Sequence, residues 1–399
     1  MALNFLTPYQ VAPILEGVIK GLEPVRPNWL QSFFGAPKFS ENTRINLDKE
    51  YNVKNVMGQF ASPNVDVSPI VLPDYGTKEF YFSYSKESID SDDFDTINQR
   101  QIGQEFGQVN PLANKAARLQ RKMILAEQRF ENLFEKTAAD ILLYGGYQAS
   151  GEYHPTVRYD FQKTVITSNT ALAANKLVPA VNLTTTAVTL PWDSSTTYLP
   201  VLPTNGGFTA GDKAWTKANV DAAKATPVKD FIKMVESTKI RSNVSAFMMS
   251  DDAYEIFQYD LNKNYGTASD TTLLALLKVG QDILPRIQEY RGLTYRRSYP
   301  VNDTGEVIGI YTYNAVYNNR TSGAETAYIG SGWVVALPPA SSGLKVYGRI
   351  MHPKANYSAM PRWINYWMND KTGIEEYEYH TNFVMAHLDI DAITTWKVI

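Results

Sequence analysis

The chain has 399 residues, 44% hydrophobic and 20% charged, a balance that supports a packed core and excludes a mostly disordered chain. A formal net charge of only −3 excludes a dedicated nucleic-acid reader, which needs concentrated basic surface. With no cysteine, disulfides, thiolate zinc sites and cysteine nucleophiles are excluded too.

Residues 1–50 read as an N-terminal arm. The first ten residues lack the basic and then apolar pattern of a signal peptide, and no apolar run in the chain reaches the ~20 residues of a membrane span. Thr7 and Pro8 open a short helix carrying Val11, Ile14, Leu15 and Ile19 and stopped by Gly21. So short a helix is marginal alone, which implies that it docks by its apolar face. Trp29, Leu30, Phe33 and Phe34 form a second apolar cluster.

Residues 51–109 read as an extended β excursion. From Lys78 to Ser85, Phe80, Phe82 and Tyr84 alternate with Glu79, Tyr81 and Ser83, the period of one strand with one favoured face. Pro73, Asp74 and Gly76 mark a preceding turn. Acid then accumulates at Glu87, Asp90, Asp92, Asp93 and Asp95. The run lacks the sixth-position glycine of a calcium loop and places Phe94 where a ligand belongs, so it reads as a solvated or partner-facing segment.

Residues 110–146 read as one long helix. Asn110 suits the cap, Pro111 the first helical position, and Gly145 with Gly146 the left-handed stop. Asn110 to Tyr144 would span roughly 52 Å at ~1.5 Å per residue. Leu112, Ala116, Leu119, Met123, Ala126, Phe130 and Leu133 step by four and three along one face. That face carries no histidine and no carboxylate pair, so it reads as a structural beam. Lys115, Arg118, Arg121 and Lys122 occupy the first half, and Glu127, Glu131, Glu135 and Asp140 the second. The helix macrodipole favours the opposite arrangement at a few tenths of a kcal/mol per residue. Solvation with i,i+4 pairing is one explanation. The other is that the basic half meets an acidic surface, with Asp92, Asp93 and Asp95 as the candidate contacts.

After this helix the sequence reads as strand, turn and strand over 151–168, then as loops and short strands over 169–210. Ala218 to Thr238 is helical in pattern and interrupted at Pro227. Ala246–Met249 is a short buried strand, and Ser250 caps a helix running through Phe257. Thr271 to Leu284 gives a further helix stopped by Pro285. Beyond Thr294 strands dominate, so the remainder reads as α+β.

No chemical motif emerges. The four histidines, His154, His352, His380 and His387, form no HExxH pair, and there is no nucleophile elbow, phosphate loop or dinucleotide fingerprint. Gly330-Ser331-Gly332 reads as a turn or bulge, and His380 and His387 as satisfied or surface histidines. No catalytic, cofactor or metal residues are assigned. Twelve of the 25 tyrosines fall between Tyr290 and Tyr379, about twice an even share, which fits either a β-rich core or an interface.

The order of these pieces resembles tailed-phage major capsid proteins, and among them the lambda-type capsid protein E family. FFGAPKFSENTRINLDKEY from Phe33, NPLANKAARLQRKM with KTAADILLYGG in the long helix, and VRYDFQ from Val157 carry the likeness, followed by the segments from Ala214, Ser245 and Trp333. The resemblance implies an α+β fold of the Hong Kong 97 type: an N-terminal arm (1–50), an extended loop or E-loop (51–109), a peripheral domain with its spine helix (110–211), an axial domain (212–346) and a return to the peripheral domain (347–399). It implies a non-enzymatic subunit that self-assembles through hexamers and pentamers into an icosahedral head around double-stranded DNA, with DNA held by proximity and no membrane. Scaffold, portal and decoration proteins would be partners. The subunit would belong to the virion after assembly in the host cytoplasm. A nanocompartment shell of the same fold is the near alternative. A β-rich carbohydrate-binding protein or hydrolase, suggested only by the aromatic content, is the distant one.

Overall fold

The computed structural model describes residues 28–50, 75–90, 111–151, 154–161, 188–190, 193–198, 214–239, 244–265, 290–300, 307–319, 323–368, 375–387, 390 and 393–399. The expected helix between Thr7 and Gly21, the turn at Pro73 and Asp74, the acidic residues 92–95 and the helix 271–284 lie outside them.

In chain order, a 3-10 helix at Leu30–Phe33 precedes β1 (Lys38–Phe39), β2 (Arg44–Glu50), β3 (Tyr75–Tyr81) and β4 (Ser83–Asp90). α1 (Pro111–Tyr144) follows, then two hairpins: β5 (Gly146–Gly151) with β6 (His154–Asp160), and β7 (Val188–Leu190) with β8 (Asp193–Tyr198). α2 (Lys217–Asp221) and α3 (Pro227–Lys239) lead to β9 (Ala246–Met249) and α4 (Asp251–Asn264). Then come β10 (Leu293–Pro300), β11 (Val307–Tyr313), β12 (Val316–Asn318), β13 (Glu325–Ala327), β14 (Trp333–Leu337) and β15 (Leu344–Tyr347). β16 (Trp363–Met368), β17 (Glu375–Ala386) and β18 (Thr394–Lys397) end the chain.

Two five-stranded sheets carry the core. In the first, β17 is central. β4 runs along one of its edges, β15 and β16 share the other, and β1 adds parallel to β15. The second runs β10-β11-β9-β14-β18. Both faces of this second sheet are buried, so its strands are apolar at successive positions rather than alternating with polar ones. Met248, Val335 and Leu337 belong to the core shared with α1, whereas Phe247, Met249, Val334 and Ala336 belong to the core under α3 and α4. Caps fix those helices. Pro227 starts α3, whose Val228 N–H donates to the buried Asp260 carboxylate at 2.9 Å, and the Ser250 hydroxyl caps α4.

α1 bridges the two sheets. Phe130 stacks on Tyr379 at 5.4 Å and Phe134 meets Phe383 edge-on at 4.7 Å, both in the first sheet. At the far end Tyr144 meets Trp333 of the second sheet at 5.9 Å. Gly145 stops the helix with φ +77°.

Three sequence expectations change. Leu133, expected on the apolar face, is 38% exposed, and Phe134 is fully buried instead. Alternating steps of four and three average 3.5 residues, but a straight helix turns every 3.6, so the seam drifts by ~20° per heptad and after three heptads favours the next position. The single strand expected at 78–85 is two strands that split at Phe82. β3 pairs with β2, and β4 with β17. The crossing is pinned by the Ser83 hydroxyl, which donates to Tyr159 at 2.8 Å, and by the Tyr159 hydroxyl, which donates to the Tyr81 carbonyl at 2.7 Å. Gly348 also leaves room there, since a Cβ would lie 2.7 Å from Phe82. The helix after Ser250 runs past Phe257 to Asn264. β15 joins the first sheet with β16 and β17, and β18 joins the second, where Trp396 and Val398 fill the core.

Candidate functional site

The densest polar arrangement lies along one row of α1. Glu127, Glu131 and Glu135 recur every four residues, so their side chains leave the helix in line. Arg362, just before β16, reaches both Glu127 and Glu131 with its two terminal nitrogens. The Tyr379 hydroxyl donates to Glu127 at 2.9 Å.

Glu135 is fully buried and receives three hydrogen bonds. The Leu30 N–H donates at 3.0 Å, the Gln31 N–H at 3.2 Å and the Tyr313 hydroxyl at 2.5 Å. Leu30 and Gln31 open the 3-10 helix, whose N–H groups have no partner within it, so Glu135 is their cap across the fold. Burial pushes the Glu135 carboxyl up to about 7, opposed by these donors. Burial also raises Tyr313 well above the ordinary phenol range, so its hydroxyl stays a donor.

The segment 28–34 is thereby clamped on α1. Gln31 Nε2 donates to the Glu131 carboxylate at 3.0 Å, and Asn28 Nδ2 to the Glu131 carbonyl at 3.2 Å. Trp29 packs at 5.3 Å on Tyr311 and 5.9 Å on Tyr313. Lys345 donates to Gln31 Oε1 at 3.2 Å while lying 4.2 Å over the Phe134 ring, and burial lowers its pKa. The arrangement has no nucleophile beside a base. Its chemistry is mechanical: it joins the chain's early segment, the long helix and both sheets.

The acid half of α1 therefore faces structural partners inside the subunit, and the macrodipole mismatch has a local cause. The spacing of Glu127, Glu131 and Glu135 was the available sequence signal. Arg362 and Tyr313, 178 or more residues away, gave none. Of the predicted contact residues, Arg121 is exposed, Lys122 is half-buried, and Lys115 and Arg118 lie in the first turns of α1. Asp92, Asp93 and Asp95 lie outside the described residues. Among the described residues, β4 meets α1 through a different pair, Arg129 with Glu87 at 3.0 Å.

His380 and His387 are both buried and hydrogen-bonded, to Tyr84 at 2.6 Å and Ser342 at 2.9 Å. No group of three His, Asp or Glu among the described residues is placed to hold a metal ion, and no helix there is long and apolar enough to cross a membrane. Tyr311, Tyr313, Tyr328, Tyr347, Tyr377 and Tyr379 are buried, so the tyrosine-rich stretch supplies core.

Residues 207–398 match the family model described as phage major capsid protein E. No curated protein matches the chain. A putative capsid protein of a prophage of E. coli CFT073 aligns over 100% of both chains at 13% identity with a TM-score of 0.56. The bacteriophage PhiM1 mature capsid aligns over 94% of this chain and 88% of that one, at 8% identity and a TM-score of 0.42. An encapsulin complex from Synechococcus elongatus PCC 7942 aligns over 99% and 96%, at 11% identity and a TM-score of 0.37.

Proposed function

We infer that this chain, whose residues 207–398 carry the phage major capsid protein E pattern, is a shell-forming major capsid protein with the Hong Kong 97-type fold. Its role is structural and its place is the virion. The observation that carries the reading is that family match, which spans both the central strands of the second sheet and β15 to β17 of the first.

The finer assignments are ours. Copies assemble in the host cytoplasm into hexamers and pentamers that close an icosahedral head around double-stranded DNA, and the subunit performs no catalysis. The near-neutral net charge of −3 supports a shell that does not grip phosphate tightly. Scaffold, portal and decoration proteins are the expected further partners. The peripheral domain comprises α1 and the first sheet, and the axial domain the second sheet with α2 to α4. The arm ends at the root of the β2–β3 hairpin, so the extended loop starts near Arg44. Contacts between subunits use Asp92, Asp93 and Asp95 of the loop against Lys115, Arg118, Arg121 and Lys122 of a neighbour's α1. The outward-facing Leu125, 55% exposed one turn from Arg121, supports a covered surface on that side.

The test is electron microscopy of the purified chain, expressed alone and with the genes that flank it. Closed shells or curved sheets are expected. A monomer by light scattering under every condition overturns the reading, and shells filled with a protein cargo in place of DNA would assign it to a nanocompartment.

A further inference from the structure

His380 lies on the face of the first sheet away from α1, in a cross-strand row with Lys86 of β4 and Trp363 of β16. Its ring is buried. Nδ1 is 2.6 Å from the Tyr84 hydroxyl, and Nε2 is 3.3 Å from Glu378 Oε2. The Glu378 carboxylate presents only acceptors to Nε2. In the neutral ring Nδ1 is therefore the acceptor, and Nε2 carries the hydrogen toward Glu378.

The groups around it come from every element packed there. β4 contributes Tyr84 and Lys86, and Lys86 pairs with Glu378 of β17. The turn before the 3-10 helix at Pro353–Ala355 contributes His352, whose ring is 6.1 Å from that of His380 and 4.6 Å from Trp363. β16 contributes Trp363 and Asn365, which do not titrate. Tyr84 offers a hydroxyl and Lys86 an ammonium, and the one carboxylate, Glu378, is already shared with Lys86.

We propose that His380 is a pH-sensitive latch that holds β4, and with it the root of the β2–β3 excursion, on the first sheet while its imidazole is neutral, and loosens it on acidification. Protonation puts a hydrogen on Nδ1, facing the Tyr84 O–H. Two donors then point at each other, and Tyr84 must turn its hydrogen away from the only ring nitrogen it faces. The new charge also meets Lys86 and His352. Burial lowers the His380 pKa below its ordinary 6.5, with Glu378 opposing. A base whose folded pKa is depressed contributes stability that is complete above the unfolded value and is lost as pH falls through it. The window is therefore below about 6.5.

The experiment is hydrogen exchange of the β4 amides on the full chain between pH 7.5 and 5, corrected for intrinsic rate and compared with β9. A one-proton linkage accelerates β4 exchange by at most about tenfold per pH unit below the midpoint, while β9 stays level. In Glu378→Gln the loss begins at the same pH but continues to lower pH and grows larger, because the group favouring the cation is gone. In His380→Gln, which keeps a polar side chain without a titratable ring, the dependence disappears. Protection of β4 that is level with pH in the wild-type chain overturns the proposal, as does an unchanged slope in folded His380→Gln. Neither outcome bears on shell assembly.

Discussion

Glu135 of α1 and Tyr313 of β11 are 178 residues apart in the chain and share a hydrogen bond of 2.5 Å in a fully buried position. The same carboxylate caps Leu30 and Gln31, so three distant parts of the chain meet at one side chain.

Replacing Glu135 with Ala leaves two backbone N–H groups and a phenol without partners. At about 1–3 kcal/mol for each buried unsatisfied group, stability should fall by about 3–5 kcal/mol, read by denaturant unfolding. A loss within 0.5 kcal/mol would show that water replaces the carboxylate.

The same residue sets a pH dependence. A carboxyl whose folded pKa is raised from 4.5 to about 7 binds its proton more tightly when folded. Its contribution is complete below pH 4.5 and is lost as pH rises toward 7, by about 2–3 kcal/mol. Glu135→Gln keeps an acceptor and cannot ionise, so its unfolding free energy should lack that decline between pH 5 and 7.5.

Phe134→Ala and Leu133→Ala separate the two versions of the α1 face. Phe134 is fully buried against Phe383 and should cost about 3–5 kcal/mol. Leu133 should cost under about 0.5 kcal/mol in the isolated subunit. Thermal melts followed by circular dichroism give the order, and equal losses would contradict the buried seam.

Arg362→Lys retains a charge but not the fork that serves Glu127 and Glu131 together. It should lower Tm by several degrees, with Arg362→Met lower still, since two neighbouring carboxylates lose their cation. A wild-type melt for both would mean the pair is solvated in solution.

Assembly should respond to the opposite end of α1. Arg121→Glu is expected to leave a folded subunit and reduce particle counts, as is Asp92→Lys with Asp93→Lys. Combining the acidic-segment reversal with Arg118→Glu and Arg121→Glu should restore part of the count. Intact assembly in the reversals alone would remove this contact from the shell.

Local chemistry was sufficient for α1, for the cap at Ser250, for the interruption at Pro227, and for most strands beyond Thr294. Periodicity, proline and glycine act within a few residues, so their consequences are written where they occur. The order of segments also carried the family likeness, because order survives when identity does not. What only tertiary structure decided are the events in which distant residues meet. Helix drift turned Phe134 inward in place of Leu133, but only the fold supplied Phe383 as its partner. The run at 78–85 broke at Phe82 because two sheets claim its halves. Trp396 was drawn into the second sheet by a core it completes. The row Glu127, Glu131 and Glu135 was visible as spacing, but its meaning was not. A carboxylate on a helix reads as solvated until Arg362, Tyr313 and the Leu30 backbone arrive from elsewhere in the chain, and burial then turns surface charge into a joint.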